Sequence, residues 1–426
     1  MRETRGALDP LLAEAGSPPD IVQGRRVVTS RREQIEVSEP RAGRMARIAP
    51  PRLQTMGDSG HRTATWLELF YDLSFVVAIA VLGGRLLADT SWTGVWSFFG
   101  YFALLWWLWA SNTFYADRYD TDDLFYRLWS AAQMVAVLVL AASLAHGPSE
   151  STTVFAAGYA AARLVLLALY YRVYRHVTET RSLVRGYLIG FGAAAVVWTA
   201  SVFVPDPVRF VVWGVALAID LATPWVVRRQ QATVPLDQSH LPERFGLFVI
   251  LVLGESLAAV VSGLSHIGWS TSSLIAAILG VLLATLLWWL YFDNAEGSVV
   301  RRRSVEGRTW RPTGWIYTHL PLAAALAIVG VALDQAILAA GEEPMLTSQR
   351  WLLVGGVALA LVCMAVIQIA SIGQTPREVN RAIAINRLAG VPFLALIGLL
   401  VQADPVWVLV GATGVLVAVL AADMAV

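Results

Sequence analysis

Residues 65–80 read TWLELFYDLSFVVAIA, an apolar run that carries two carboxylates, Glu68 and Asp72, four positions apart. The rest of the chain explains why this run reads as a membrane span. Of its 426 residues 57% are hydrophobic and only 15% charged, and the mean hydropathy of +0.59 is far above that of soluble domains. A bilayer core about 30 Å thick takes roughly 20 apolar residues per helix. Twelve runs fit, near 66–88, 94–116, 124–145, 152–174, 187–204, 208–227, 242–264, 271–294, 314–340, 350–372, 387–402 and 405–424. The fold class expected is therefore an all-α polytopic membrane protein.

Arginines fix the expected orientation, because positive residues collect in cytoplasmic loops. Arg172, Arg175, Arg181 and Arg185 follow the fourth run, Arg228 and Arg229 the sixth, Arg301, Arg302, Arg303, Arg308 and Arg311 the eighth, and Arg377, Arg381 and Arg387 the tenth. The opposite connections hold only Arg209 and Arg350. Both termini are thus expected on the cytoplasmic side of a bacterial cell membrane. The single cysteine, Cys363, rules out an intrachain disulfide framework and reads as packing. Residues 1–63 are rich in arginine, acid, proline and serine without helical periodicity, and read as a disordered tail with no secretory signal. Met45 or Met56 would each serve as a start just before the first run.

The remainder repeats itself. LLWWLW at 104–109 returns as LLWWLY at 286–291, and ELFYDLSFVVAIAVLG is loosely echoed by ERFGLFVILVLG from Glu243. This predicts six helices in 64–227, a linker at 228–241 and six more in 242–426, related by a pseudo-twofold axis along the membrane normal. The doublets Trp106–Trp107 and Trp288–Trp289 read as interfacial anchors or lipid-facing volume.

An ionisable group near mid-bilayer costs about 2.5–3.5 kcal/mol on insertion scales, so those retained should face inward, pair or line a pathway. Glu68 and Asp72 share a helical face near the start of their run, where the helix dipole favours negative charge. His240, Glu243 and Arg244 open the seventh run, and Arg163, Asp220 and Glu255 lie deep in the fourth, sixth and seventh. Arg163 is expected to be a counter-charge for Asp220 or Glu255, either as an inter-helix pair that fixes packing or as part of a pathway. With Asp293 and the titratable His319 added, acids outnumber bases, as a proton or cation pathway requires. The segment DRYDTDDLFYR holds Asp117, Asp120, Asp122 and Asp123 without the glycine and terminal glutamate of a calcium loop; it reads as a solvated acidic turn, with Asp122 or Asp123 capping the third helix.

Phosphate loops, HExxH, nucleophile elbows and cysteine pairs are absent from the sequence. An enzyme, a cofactor, a resident metal and a nucleic-acid partner are accordingly not expected. The partners are the lipid bilayer and an unknown small solute or cation, and Gly411 and Gly414 permit the close helix contact a homo-oligomer would use.

In their order and spacing, ELFYDLSFVVAIAVL, FYADRYDTDDLFYRL, ALAIDLATP, HLPERFGLFVILVLGES and WWLYFD resemble the low temperature requirement A family of bacterial membrane proteins. Tyr71 stands where phenylalanine is usual. The resemblance extends from residue 64 onward and implies that Glu68, Asp72, Asp120, Asp123, Arg163, Asp220, His240, Glu243, Arg244, Glu255, Asp293 and His319 fall at positions of the family pattern. It implies no substrate. The expectation is a secondary transporter or permease, proton- or cation-coupled, with Glu68, Asp72, Asp220 and Glu255 converging on one polar cavity; the alternatives are a cation channel and a non-transporting cold- or stress-adaptation protein.

Overall fold

The first helix starts where a capping box closes. Thr65 is extended (φ −78°, ψ 156°), its hydroxyl accepts the Glu68 N–H, and the Glu68 carboxylate accepts the Thr65 N–H at 2.7 Å. Glu68 thereby satisfies orphan donors of the helix end, which lowers the cost of a carboxylate there.

The computed structural model describes residues 48–54, 63–120, 122–146, 148–234, 240–267, 269–293, 310–342, 345–371, 376–401 and 404–426. Most of the expected tail, Met45, Met56, part of the linker and Arg301, Arg302, Arg303 and Arg308 lie outside them. Among the described residues, twelve long helices occupy the twelve runs: α1 (Trp66–Ala88), α2 (Trp92–Arg118), α3 (Leu124–Ala145), α4 (Pro148–His176), α5 (Arg181–Ser201), α6 (Val208–Val226), α7 (His240–Ile267), α8 (Thr271–Phe292), α9 (Trp310–Glu342), α10 (Thr347–Ala370), α11 (Arg377–Leu400) and α12 (Pro405–Met424). Eleven are long and apolar enough to cross a membrane; α2 falls short. Its tryptophans, tyrosines and polar residues depress its hydropathy because it faces protein instead of lipid. Every residue from Leu104 to Arg118 is buried.

Helix α9 is the packing hub, touching α1, α2, α7, α8, α10 and α12, and it continues through Pro321. The chain also pairs in series, α3 on α4, α4 on α5, α5 on α6, then α10 on α11 and α11 on α12. Cys363 is buried, as expected.

Three expectations need correction. Residues 48–54 lie in the expected tail, yet Arg52–Leu53 pairs antiparallel with Tyr119–Asp120, and the Gln54 N–H donates to the Arg118 carbonyl at 3.0 Å. Helix α11 begins ten residues before the apolar run does, because its first turns bury polar groups: Asn380 accepts from Gln368, and Arg387 donates to Asp423 at 3.1 Å and to the Leu290 carbonyl at 2.9 Å. Arg387 is therefore a buried ion-pair partner rather than a loop charge. Finally, the doublets differ: Trp106 and Trp107 are 1% and 0% exposed, whereas Trp288 and Trp289 are 45% and 40% exposed, the lipid-facing arrangement expected of both.

Candidate functional site

Two short ladders of charge face each other across helices α1 and α7. Glu68 and Asp72 stand four apart on one face of α1, and His240 and Arg244 stand four apart on one face of α7. Arg244 reaches Asp72 Oδ1 at 2.6 Å and Glu68 Oε1 at 3.3 Å. His240 places Nε2 3.3 Å from Glu68 Oε2 and Nδ1 3.1 Å from Asp117 Oδ1, while Trp109 Nε1 donates to Asp72 Oδ1 at 2.8 Å. Asp117 and Trp109 are two turns apart on α2, which closes the third side. All five ionisable groups are buried, none more than 3% exposed.

Proton accounting makes this network unusual. A neutral imidazole has one N–H, so it cannot donate to Glu68 and Asp117 together; the doubly protonated ring can. With His240 charged, three carboxylates face two cations within these five groups, and the buried Arg118, which acts electrostatically on Asp117, brings a third positive charge to the network. The Asp72 Oδ2 is enclosed and accepts no hydrogen bond among the described residues. Such a network can take up a proton, and doing so weakens one of its pairs.

A second buried pair is of another kind. Arg163 of α4 meets Asp220 of α6 at 2.8 Å with both side chains fully enclosed. Arg163 also donates to Ser111 Oγ at 2.9 Å and to Tyr159 Oη at 3.4 Å, and Trp198 Nε1 donates to Asp220 at 3.4 Å. The guanidinium lies over the rings of Tyr159 and Phe191, at 5.4 and 5.5 Å. This is a charge-balanced pair walled by aromatic rings, and it gives Arg163 to Asp220, not to Glu255.

The expected convergence of Glu68, Asp72, Asp220 and Glu255 on one cavity does not occur. The first two join the α1–α2–α7 network, Asp220 is held by Arg163, and Glu255 is half-buried beside a separate cleft between α1, α7 and α9, which Asp334 also lines. Glu243 is partly exposed and accepts the Ala64 N–H at 3.3 Å. Asp293 is exposed at the end of α8. His319 bonds the Trp315 carbonyl through Nδ1 at 2.7 Å and Tyr291 Oη through Nε2 at 3.0 Å; a neutral ring that donates from Nδ1 and accepts at Nε2 satisfies both contacts.

The acidic turn is also redistributed. Asp117 sits in the network, Asp120 joins the strand pair through its backbone, and Asp122 pairs with Arg127 at the surface at 2.7 Å. Asp123 caps α3 through the Tyr126 N–H and is buried against Arg172 at 2.5 Å; Ala49 donates to it as well. Burial opposes ionisation of Asp123, but the Arg172 contact and these N–H donors outweigh it and hold its carboxyl below the usual carboxylate range. Of the groups that the sequence left unassigned, Trp109 and Asp117 had one visible signal. The run Ser111–Asn112–Thr113 between them would leave polar side chains in lipid unless α2 were interior.

Helices of this length, apolarity and number define a multi-pass membrane protein. The sequence pattern of the bacterial low temperature requirement A proteins matches residues 63–422, and the chain belongs to that family. The uncharacterized protein RA0937 of Rhizobium meliloti (strain 1021) is 27% identical over 294 residues, which cover 64% of this chain and 69% of that one. No solved structure matches the chain.

Proposed function

We propose that the chain is a proton- or cation-coupled secondary transporter of a small solute, in which the α1–α2–α7 network is the joint between two moving halves. The observation that carries this reading is that five buried ionisable groups, with Arg118 beside Asp117 as a sixth, come from both halves of the sequence and set one histidine between two carboxylates. A fixed joint is built at lower desolvation cost from apolar side chains, and buried charge is best accounted for as a register or a switch. Adding a proton to Glu68, Asp72 or Asp117 releases part of the hold on Arg244 or His240, so the joint loosens when protonated.

Two further features support it. The neighbours in the first six helices (α1 with α2 and α3, then α3–α4, α4–α5 and α5–α6) recur in the second six (α7 with α8 and α9, then α9–α10, α10–α11 and α11–α12). These shared neighbours support two like repeats rocking about a shared centre, with the α8–α12 packing of the second six far more extensive, among the described residues, than that of α2 on α6 in the first. The arginine-rich connections support an orientation with both termini and the network end of α1 on the cytoplasmic side of the bacterial membrane.

The test uses the full chain in proteoliposomes with an internal pH-sensitive dye and an imposed Na⁺ or K⁺ gradient. The pH difference should decay faster than in protein-free vesicles, and Asp72→Asn should slow that decay while eluting as a folded protein. Decay equal to that of protein-free vesicles under both gradients would overturn the proposal.

A further inference from the structure

Two turns beyond the charge network, α1 passes a cleft of about 210 Å³ that it shares with α7 and α9. Much of its lining is small, including Gly83, Ala259 and Gly330, and its polar side chains include Glu255, Ser262 and Asp334. Asp334 is 6% exposed, the Ser262 side chain and His266 lie beside its carboxylate, and its Oδ1 is enclosed with no hydrogen-bond partner among the described residues. Two close helix crossings place these groups. A Cβ at Gly330 would lie 3.1 Å from Ser256 Oγ and 3.2 Å from its Cα, next to Glu255; a Cβ at Gly263 would lie 3.2 Å from the Asp334 carbonyl. Glycine at each point lets α7 and α9 approach closely, so the two carboxylates border one space.

We infer that this cleft is a binding site for one small monovalent cation, with the Na⁺ ion as the type, ligated by the carboxylates of Glu255 and Asp334 and the Ser262 hydroxyl. The chemistry follows from what an enclosed carboxylate oxygen without a donor needs. Either it carries a proton or a cation lies against it. Hard cations take oxygen ligands, and a water occupies about 30 Å³ of liquid, so the cleft accommodates an ion that keeps part of its hydration. A divalent ion fits less well. Calcium takes about six to eight oxygens, and among the described residues no group of three or more histidine, cysteine or acidic side chains could hold a metal. Charge balance sets the exchange: one cation enters, one proton leaves the carboxylate pair, and the charge of the cleft is unchanged.

This site rests on the transport reading for its purpose but not for its existence. Asp72 and Arg244 belong to the joint, whereas Glu255 and Asp334 would hold the coupling ion. Asp72 and Gly83 are eleven residues apart on α1, about 16 Å along a helix, so the network and the cleft are separate places on one rod.

The experiment uses the unmodified full chain in detergent and a hydrophobic carbodiimide, which couples to protonated carboxyls in apolar surroundings; peptide mass spectrometry then reports the modified residues. In choline chloride, Glu255 or Asp334 should be modified. Equimolar NaCl should slow that modification about tenfold or more at saturation, the effect of a bound ion displacing the reactive proton. Equal rates in NaCl and choline chloride, or no modification at either residue, would overturn the site. A second arm follows Na⁺ binding by calorimetry in Glu255→Gln and in Glu255→Asp: the amide should abolish saturable heat and the aspartate should weaken but keep it. Saturable heat unchanged in Glu255→Gln would also overturn the site. Protection by Na⁺ in a protein that moves no ions in vesicles would keep this inference and sink the transport reading; coupled flux with no protection would do the reverse.

Discussion

The two buried charge sites of this bundle differ in stoichiometry and in what they connect. Arg163 and Asp220 join helices of the same half, one base to one acid, enclosed by Tyr159, Phe191 and Trp198. The α1–α2–α7 network links helices from the first and second halves of the sequence through three acids, His240, Arg244 and the neighbouring Arg118; each site leaves one carboxylate oxygen, Asp72 Oδ2 or Asp220 Oδ1, without a donor among the described residues. A balanced pair in a dry wall has one low-energy state and serves packing. In the function proposed above, a network that sets a histidine between two carboxylates has more than one protonation state, and a change of state bears on how α1 and α7 are held together. The difference teaches that charge inside a membrane protein is informative only once its partners are counted.

The largest expected effect comes from breaking the balanced pair. Arg163→Met should lower stability by about 3–5 kcal/mol, since it leaves Asp220 buried without its counter-charge, whereas Arg163→Met combined with Asp220→Leu should recover most of the loss. Thermal unfolding in detergent reads both, and an unrecovered double variant would place Arg163–Asp220 in the same class as the network. Asp72→Asn should cost less, about 1–3 kcal/mol, because the amide oxygen still accepts from Trp109 while the charge facing Arg244 is gone; its loss of proton flux should far exceed what that instability explains.

A smaller effect is expected at the rim. Asp123→Ala removes an N-cap and the partner of Arg172, and caps contribute about 0.5–2 kcal/mol. Because its folded carboxyl is held below the usual range, the contribution of Asp123 is fully present above the ordinary aspartate value near ~3.9 and is lost as pH falls through the depressed one. The wild type and Asp123→Ala should therefore differ at neutral pH and converge in strong acid; a gap that widened with acid would reverse the assignment. Least of all, Trp288→Ala on the lipid-facing doublet should change stability by about 0.5 kcal/mol or less, whereas Trp107→Ala in the interior should cost several times that.

Most of the helices were legible because a membrane span is written in consecutive residues. Glu68 and Asp72 were legible as a pair for the same reason, since four residues make one turn. Their partners were not, because Arg244 lies 172 residues away and no local pattern joins α1 to α7. Asp117 was missed because the apolar run of α2 ends before the helix does, so a buried ligand of His240 read as part of a solvated turn. Arg387 was misread similarly: hydropathy starts α11 where its apolar residues start, while the helix starts at Arg377. The first tryptophan doublet defeated pattern reading because LLWWL carries no record of which neighbours surround it. Asp334 was the sharpest omission, a lone carboxylate in VALDQAILAAGE that no partner in sequence brings to notice.

The direct trial of the joint is a distance. With Cys363 replaced by alanine, spin labels at the exposed positions 66 on α1 and 378 on α11 would report the separation of the halves by pulsed electron resonance as pH is lowered. One short distance at neutral pH, joined by a longer population on acidification and already present at neutral pH in Asp72→Asn, is the result expected of a proton-responsive joint. A single distance, unmoved by pH and by the substitution, would contradict it.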